Sequence, residues 1–420
     1  MKRTGLAEPI RLSAIEFFFW SSIACFEGFM VPYLTSVGYR PAQIGPIMGA
    51  VFGPAIVGQP VLGAISDRIS SPKWLIAVAM VVAGSVVVLI PAAVGWYAAV
   101  LVIVLVYSVS GNSLPAVLDG WIMARRDYNP RINYGIARGF GSAGFATAAL
   151  ALGYVAERWG PGIVFPVYLG IAIATAALAV TAPQMRPTAS TEETTPPCRD
   201  GAPKTRSDRG LRSLSRRVWT RVGVVRRNRR YVLFLIASFL AFVGFRAAFT
   251  FLPLLIDELG GTLSHVGLAH SIGAISEVPF LFLSALILRR LRGSRFVALT
   301  LLLFGLRLST YSVLTSTAQV LGLQLTHGLT FGLFIAASVD YIHAIAPPEH
   351  RTLFQAIAPS VYFGLGSIVG SWIGGIVVEA ISVFWAFRGA GVLAVAGSLV
   401  LFVSPAHGSA DETDLKKTIT

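Results

Sequence analysis

Gly63-Ala64-Ile65-Ser66-Asp67-Arg68, with Lys73 shortly after, is the stretch whose reading decides the fold of this 420-residue chain. It sets an acid and two bases between two long apolar runs, in a sequence that is 55% hydrophobic and 13% charged with mean hydropathy +0.70. Soluble globular proteins carry about 25% charged residues. A short charged stretch between apolar runs is therefore a loop at a membrane surface. Working outward from it, apolar runs lie near 13–37, 42–66, 74–94, 96–123, 134–157, 161–183, 231–257, 263–288, 296–315, 318–346, 352–380 and 384–404. Each approaches or exceeds the roughly 20 residues a helix needs to cross about 30 Å of hydrocarbon. Continuous runs, rather than short alternating ones, argue against a barrel. The reading is an all-α integral membrane protein of twelve transmembrane helices.

The formal net charge of +14 is distributed as a topology signal and not as a nucleic-acid surface. With both termini inside, the inner segments hold Lys2, Arg3, Arg11, Arg68, Lys73, Arg125, Arg126, Arg131, thirteen bases from Arg186 to Arg230, Arg289, Arg290, Arg292, Arg295, Arg351, Lys416 and Lys417. The outer loops hold Arg40 and Arg158. Positive charge inside gives an even number of spans with both termini cytoplasmic; the expected location of this multi-pass protein is the plasma membrane, or the inner membrane if bacterial. The first run is too long for a signal-peptide core and reads as a true span. Cys25 within a span and Cys198 in a polar segment imply no disulfide framework.

Four segments follow: a six-helix bundle at 1–183, a basic linker at 184–229, a second six-helix bundle at 230–405 and a tail at 406–420. Leu211, Leu214, Val218, Val222 and Val225 recur at helical spacing among arginines, which predicts an amphipathic helix on the anionic inner leaflet. The two bundles read as a duplication. Pro32 and Pro253 match at an offset of 253 − 32 = 221, and Arg68 and Arg289 at 289 − 68 = 221. Two pseudo-symmetric halves around a mid-depth site suit a secondary transporter working as a monomer.

The loop at 63–68 resembles the signature of the major facilitator superfamily. The resemblance implies a gating role for Gly63, Asp67 and Arg68, with Ser70 standing where the family has glycine. Glu277, Arg307 and His327 each interrupt an apolar run near its middle, in three consecutive runs. A charge at the bilayer centre costs about 2.5 to 3.5 kcal/mol on insertion scales, so such residues mark function. The trio resembles the lactose permease branch, where Glu, Arg and His on these helices serve solute recognition and proton coupling. Asp119, Arg138 in Tyr134-Gly135-Ile136-Ala137-Arg138, and Phe145 resemble that branch's first-half site. Two departures stand out: Thr330 replaces a carboxylate one turn after the histidine, and Phe145 replaces a tryptophan. His327-Gly328-Leu329-Thr330-Phe331-Gly332 looks more like the phenylpropionate permease and its relatives.

Glu27 reads as an added proton or cation site. Arg246 is either its partner across the cavity or a direct ligand for an anionic solute. Asp119 and Arg138 lie at comparable depth, which predicts a cross-helix pair. His270 and His343 read as packing groups.

Neither a phosphate-cradling glycine loop nor a metal-spaced His or Cys cluster is present in the sequence, so no enzyme and no cofactor beyond a coupled proton is expected. The expectation is a proton-coupled symporter importing a small organic solute such as a sugar, nucleoside or aromatic acid. The alternatives are a proton-driven exporter of amphipathic compounds and a non-transporting sensor or scaffold.

Overall fold

Residues 7–66, 68–69, 71–183, 224–291 and 293–403 are described by a computed structural model. Twelve spans follow in order: α1 Ala7–Ser36, α2 Pro41–Ser66, α3 Lys73–Val87, α4 Tyr97–Arg126, α5 Tyr134–Trp159, α6 Pro161–Val180, α7 Arg229–Glu258, α8 Leu263–Arg290, α9 Ser294–Tyr311, α10 Thr317–Ile345, α11 Pro348–Ala380 and α12 Val383–Phe402. Nine of these, among the described residues, are both long and apolar enough to cross a bilayer. The other three are α3, α8 and α9. The first is only 15 residues long before the chain bends ahead of Pro91, and α9 carries both Arg295 and Arg307 within 18 residues.

Local chemistry sets the ends. Side chains of Asn133, Asn228 and Ser382 accept the amide N–H of Ile136, Tyr231 and Trp385, capping α5, α7 and α12. The Lys73 ammonium donates to the Val180 and Ala182 carbonyls, a cation placed at the C-terminus of α6. Arg125, one of the inner positive charges, is not free in a loop. It is 2% exposed, bonded to Glu8 of α1 and to the Pro183 carbonyl, and it ties the ends of α1, α4 and α6 together. Asp67, the linker up to position 223 and the tail at 406–420 lie outside the described residues.

The duplication is sharper in space than in sequence. Spans α1 and α7 end at Ser36 and Glu258, 258 − 36 = 222 residues apart, one more than the 221 read from the proline pair. Where the halves meet, α8 crosses α5 and α2 crosses α11. A Cβ on Gly267 would lie 2.3 Å from the Ala149 carbonyl oxygen, and one on Gly45 would lie 2.5 Å from that of Ser371. Both members are again 222 apart, 267 − 45 and 371 − 149. One turn further out, each crossing is capped by a carboxylate from the opposite half. Glu157 on α5 accepts the Ser264 N–H at 3.0 Å and the Thr262 hydroxyl at 2.9 Å at the start of α8. Glu379 on α11 accepts the Ala42 N–H at 2.9 Å and lies 3.3 Å from Arg40 at the start of α2. These pairs too are related by 379 − 157 = 222 and 264 − 42 = 222.

Packing follows the same division. One hydrophobic core runs from the first half across the face of these crossings into Phe251, Leu255, Val266 and Phe387 of the second. A separate core built on Phe234, Phe242, Phe304 and Phe354 fills the other end of the second half. The halves are thus fused at one face and parted toward the other, leaving a central cavity of about 1020 Å³. Gln59, Pro60, Ala356 and Ser360, which line it near the parted face, are exposed.

Candidate substrate and coupling site

Three consecutive spans, α8, α9 and α10, bring Glu277, Arg307 and His327 into one hydrogen-bonded chain on the cavity wall. Arg307 Nη1 lies 2.9 Å from His327 Nδ1, and His327 Nε2 lies 3.1 Å from Glu277 Oε1. A guanidinium only donates, so Nδ1 must accept and the imidazole is the neutral form carrying its hydrogen on Nε2, which donates to Glu277. Arg307 Nη2 donates to Tyr311 Oη at 2.9 Å and to Gln324 Oε1 at 2.7 Å. Arg307 and His327 are 6% and 8% exposed, while the Glu277 side chain keeps 28%. The carboxylate is therefore the end of the chain that meets the cavity.

The backbone of α10 is built to hold this arrangement. Immediately after His327 the helix widens into a π-turn over Gly328–Gly332, a bulge often found at functional sites. Gly328 lets α8 and α10 touch: a Cβ there would lie 1.9 Å from the Ser276 carbonyl oxygen. The Gly328 N–H donates to Ser276 Oγ at 2.9 Å, and Thr330 Oγ1 donates to the Thr326 and His327 carbonyls. Thr330 therefore serves the π-turn and does not substitute for a carboxylate. Phe331 stacks on His327 with ring centroids 5.1 Å apart.

A second polar group joins the halves. Arg246 Nη1 of α7 donates to Glu27 Oε2 of α1 at 3.0 Å. The Arg246 Cζ lies 4.0 Å over the Phe52 ring and 5.2 Å from that of Phe249. This is the partnership anticipated across the cavity.

The first half is arranged differently from expectation. Arg138 makes no ion pair with Asp119; its Cζ lies 4.1 Å over the Trp20 ring. Asp119 instead accepts from Tyr134 Oη at 3.1 Å and is not among the cavity-lining residues. The reason is a break in α4 between Ser110 and Pro115, which shifts the helical phase that a continuous span would have given. Glu16, buried at 1% exposure, accepts from Trp20 Nε1 at 2.9 Å. The cavity wall thus includes Glu27, Arg138, Phe145, Arg246, Glu277, Arg307 and His327, with Gly63 toward the parted face. Arg68 is exposed. Residues the sequence reading missed are Trp20, Phe52, Tyr311 and Gln324, and His270, taken as packing, lines the cavity as well.

The model of the MFS_1-like family matches residues 9–389. The chain belongs to that family. Proteins similar to it include the maltose permease of Geobacillus stearothermophilus, 27% identical over 86% of this chain and 85% of the relative. A putative nucleoside transporter of Escherichia coli (strain K12) is 23% identical over 87% of this chain and 82% of its own length. Among solved structures, the nucleoside transporter NupG superposes with a TM-score of 0.78 at 17% identity, covering 95% of this chain and all of that one. A D-xylose-proton symporter superposes with a TM-score of 0.64 at 15% identity, covering 94% and 97%. This MFS_1-like chain therefore has the twelve-helix transporter fold, two pseudo-symmetric halves of six, and is a membrane transporter and not an enzyme.

Proposed function

We propose that the protein is a proton-coupled symporter that imports a small organic solute by alternating access. The observation that carries this reading is the Glu277–His327–Arg307 chain, ending in a carboxylate at the wall of a cavity shared by the two halves. With His327 held neutral by the donor on its Nδ1, Glu277 is the group of the trio that takes up a proton. Protonation removes the negative charge at the end of the chain and turns one carboxyl oxygen into a donor, which changes what the cavity offers a solute, so proton and solute binding are linked. The names of the relatives, a maltose permease, a nucleoside transporter and a proton symporter, support a small solute and a proton as partners.

In this reading the basic face is cytoplasmic and the structure is inward-facing, closed outside by the two crossings. The protein sits in the plasma membrane as a functional monomer, its two bundles joined by the linker at 184–229 on the anionic inner leaflet. Gly63, Asp67 and Arg68 act at the inner gate, and Arg138 and Phe145 complete the solute site.

The test is uptake by purified protein in liposomes with an imposed pH gradient, acid outside. Accumulation should follow the gradient and collapse with a protonophore. Uptake indifferent to both would sink the symport reading.

A further inference from the structure

Arg246 is 4% exposed, and only one of its three nitrogens is partnered by hydrogen bonding among the described residues. Glu27 holds Nη1, whereas Nε and Nη2 have no partner. Those two N–H groups lie on one edge of the planar guanidinium and point the same way, a fork that matches the two oxygens of a carboxylate. Donors buried without a partner have lost water and gained nothing in return. His270 stands nearby at 5% exposure with its Nε2 also unpartnered, its ring 5.1 Å from that of Phe249. Arg246, His270, Phe52 and Phe249 all line the cavity. The other two arginines there differ. Arg307 already gives both terminal nitrogens to His327, Tyr311 and Gln324. Arg138 is only partly buried, so water can reach it.

We propose that the transported solute is a monoanionic organic acid whose carboxylate is held side-on by Nε and Nη2 of Arg246, with His270 Nε2 beside it and Glu27 remaining on Nη1. The proposal rests on the symport reading and names its substrate class. A neutral polyol brings hydroxyls that must each find their own geometry, whereas a carboxylate presents two acceptor oxygens at the spacing of the two unpartnered N–H groups. The Arg246 Cζ lies over the Phe52 ring of the first half while Arg246 belongs to the second, so movement between the halves changes the surroundings of the guanidinium. The charge balance follows. Glu27 and Arg246 already neutralise each other, so the solute enters with one uncompensated negative charge. The single proton taken by Glu277 offsets it, and one anion with one proton moves no net charge across the membrane.

Binding to the purified full-length protein is compared for matched pairs that differ only at the acid: glucuronate against glucose, and benzoate against benzyl alcohol. The expected result is at least a tenfold preference for the acid in one pair or both. That preference should disappear in Glu27→Gln/Arg246→Gln, which replaces the ion pair by a neutral one, and fall sharply in Arg246→Lys, which keeps the charge without the fork. Thermal melting of each variant checks that it is folded. In liposomes, uptake of the preferred acid should follow the pH gradient and ignore a potassium-valinomycin potential. Equal binding within every pair, no binding of either acid, or an acid preference that survives in the folded double variant overturns the proposal. If a neutral solute is carried instead, driven by both the pH gradient and the potential, the symport reading stands and the carboxylate assignment falls. If the acid binds through Arg246 yet no uptake responds to pH, the assignment stands and the symport reading falls.

Discussion

The two halves share a backbone plan but not a chemistry. The positions 222 residues before Glu277, Arg307 and His327 are Ala55, Ser85 and Leu105, and those 222 after Glu16, Asp119 and Arg138 are Ser238, Tyr341 and Ser360. The two halves therefore share the crossings and caps that close one face, while their polar residues differ. The placement has a mechanical consequence. The Glu277–His327–Arg307 chain lies wholly within the second half and survives when the halves rock, whereas Glu27–Arg246 and the outer caps cross between halves and must rearrange. In the proposed symport, proton uptake belongs to a rigid body and solute binding to the joint.

The largest effects are expected at the crossings. Gly267→Val and Gly45→Val each drive a side chain into a carbonyl of the opposite half, and overpacking of this kind costs about 1–3 kcal/mol. Each should shift the balance away from the outside-closed state by roughly tenfold or more, read as labelling of a cysteine at Ala248 by an impermeant maleimide. Equal effects of the two would sharpen the two-fold relation, and an effect at one site alone would break it. Next comes Arg307→Lys, which cannot reproduce the three bonds to His327, Tyr311 and Gln324 and should lower stability by about 2 kcal/mol. The counterpart Ser85→Ala, on an exposed position of α3, should stay within about 0.5 kcal/mol in the same melting experiment. Smaller still, Glu157→Gln and Glu379→Gln should each raise maleimide labelling slightly and to the same extent. Smallest of all, Asp119→Asn should leave solute affinity within about twofold, the scale of substitutions away from a site.

The spans, the duplication and the meeting of Glu277, Arg307 and His327 were legible in the sequence because charge in an apolar run is energetically conspicuous. The partners of the trio were not. Gln324 and Tyr311 are uncharged residues of kinds that occur in spans for many reasons, and only the position of Arg307 gives them meaning. Glycines at 45, 153, 267 and 375 were equally silent, since small residues mark any close helix crossing. Phase errors account for the rest. The break in α4 displaced Asp119 from the cavity, and the π-turn after His327 altered the spacing that led from the histidine to Thr330.

The central claim is that Glu277 takes the coupled proton. The direct measurement is the external pH of a lightly buffered suspension of liposomes when solute is added with no gradient imposed. Wild-type protein should alkalinise the medium as solute and proton enter together, and Glu277→Gln should carry solute down its gradient without moving the pH. A Glu277→Gln protein that still alkalinises the medium in step with solute entry would contradict the account.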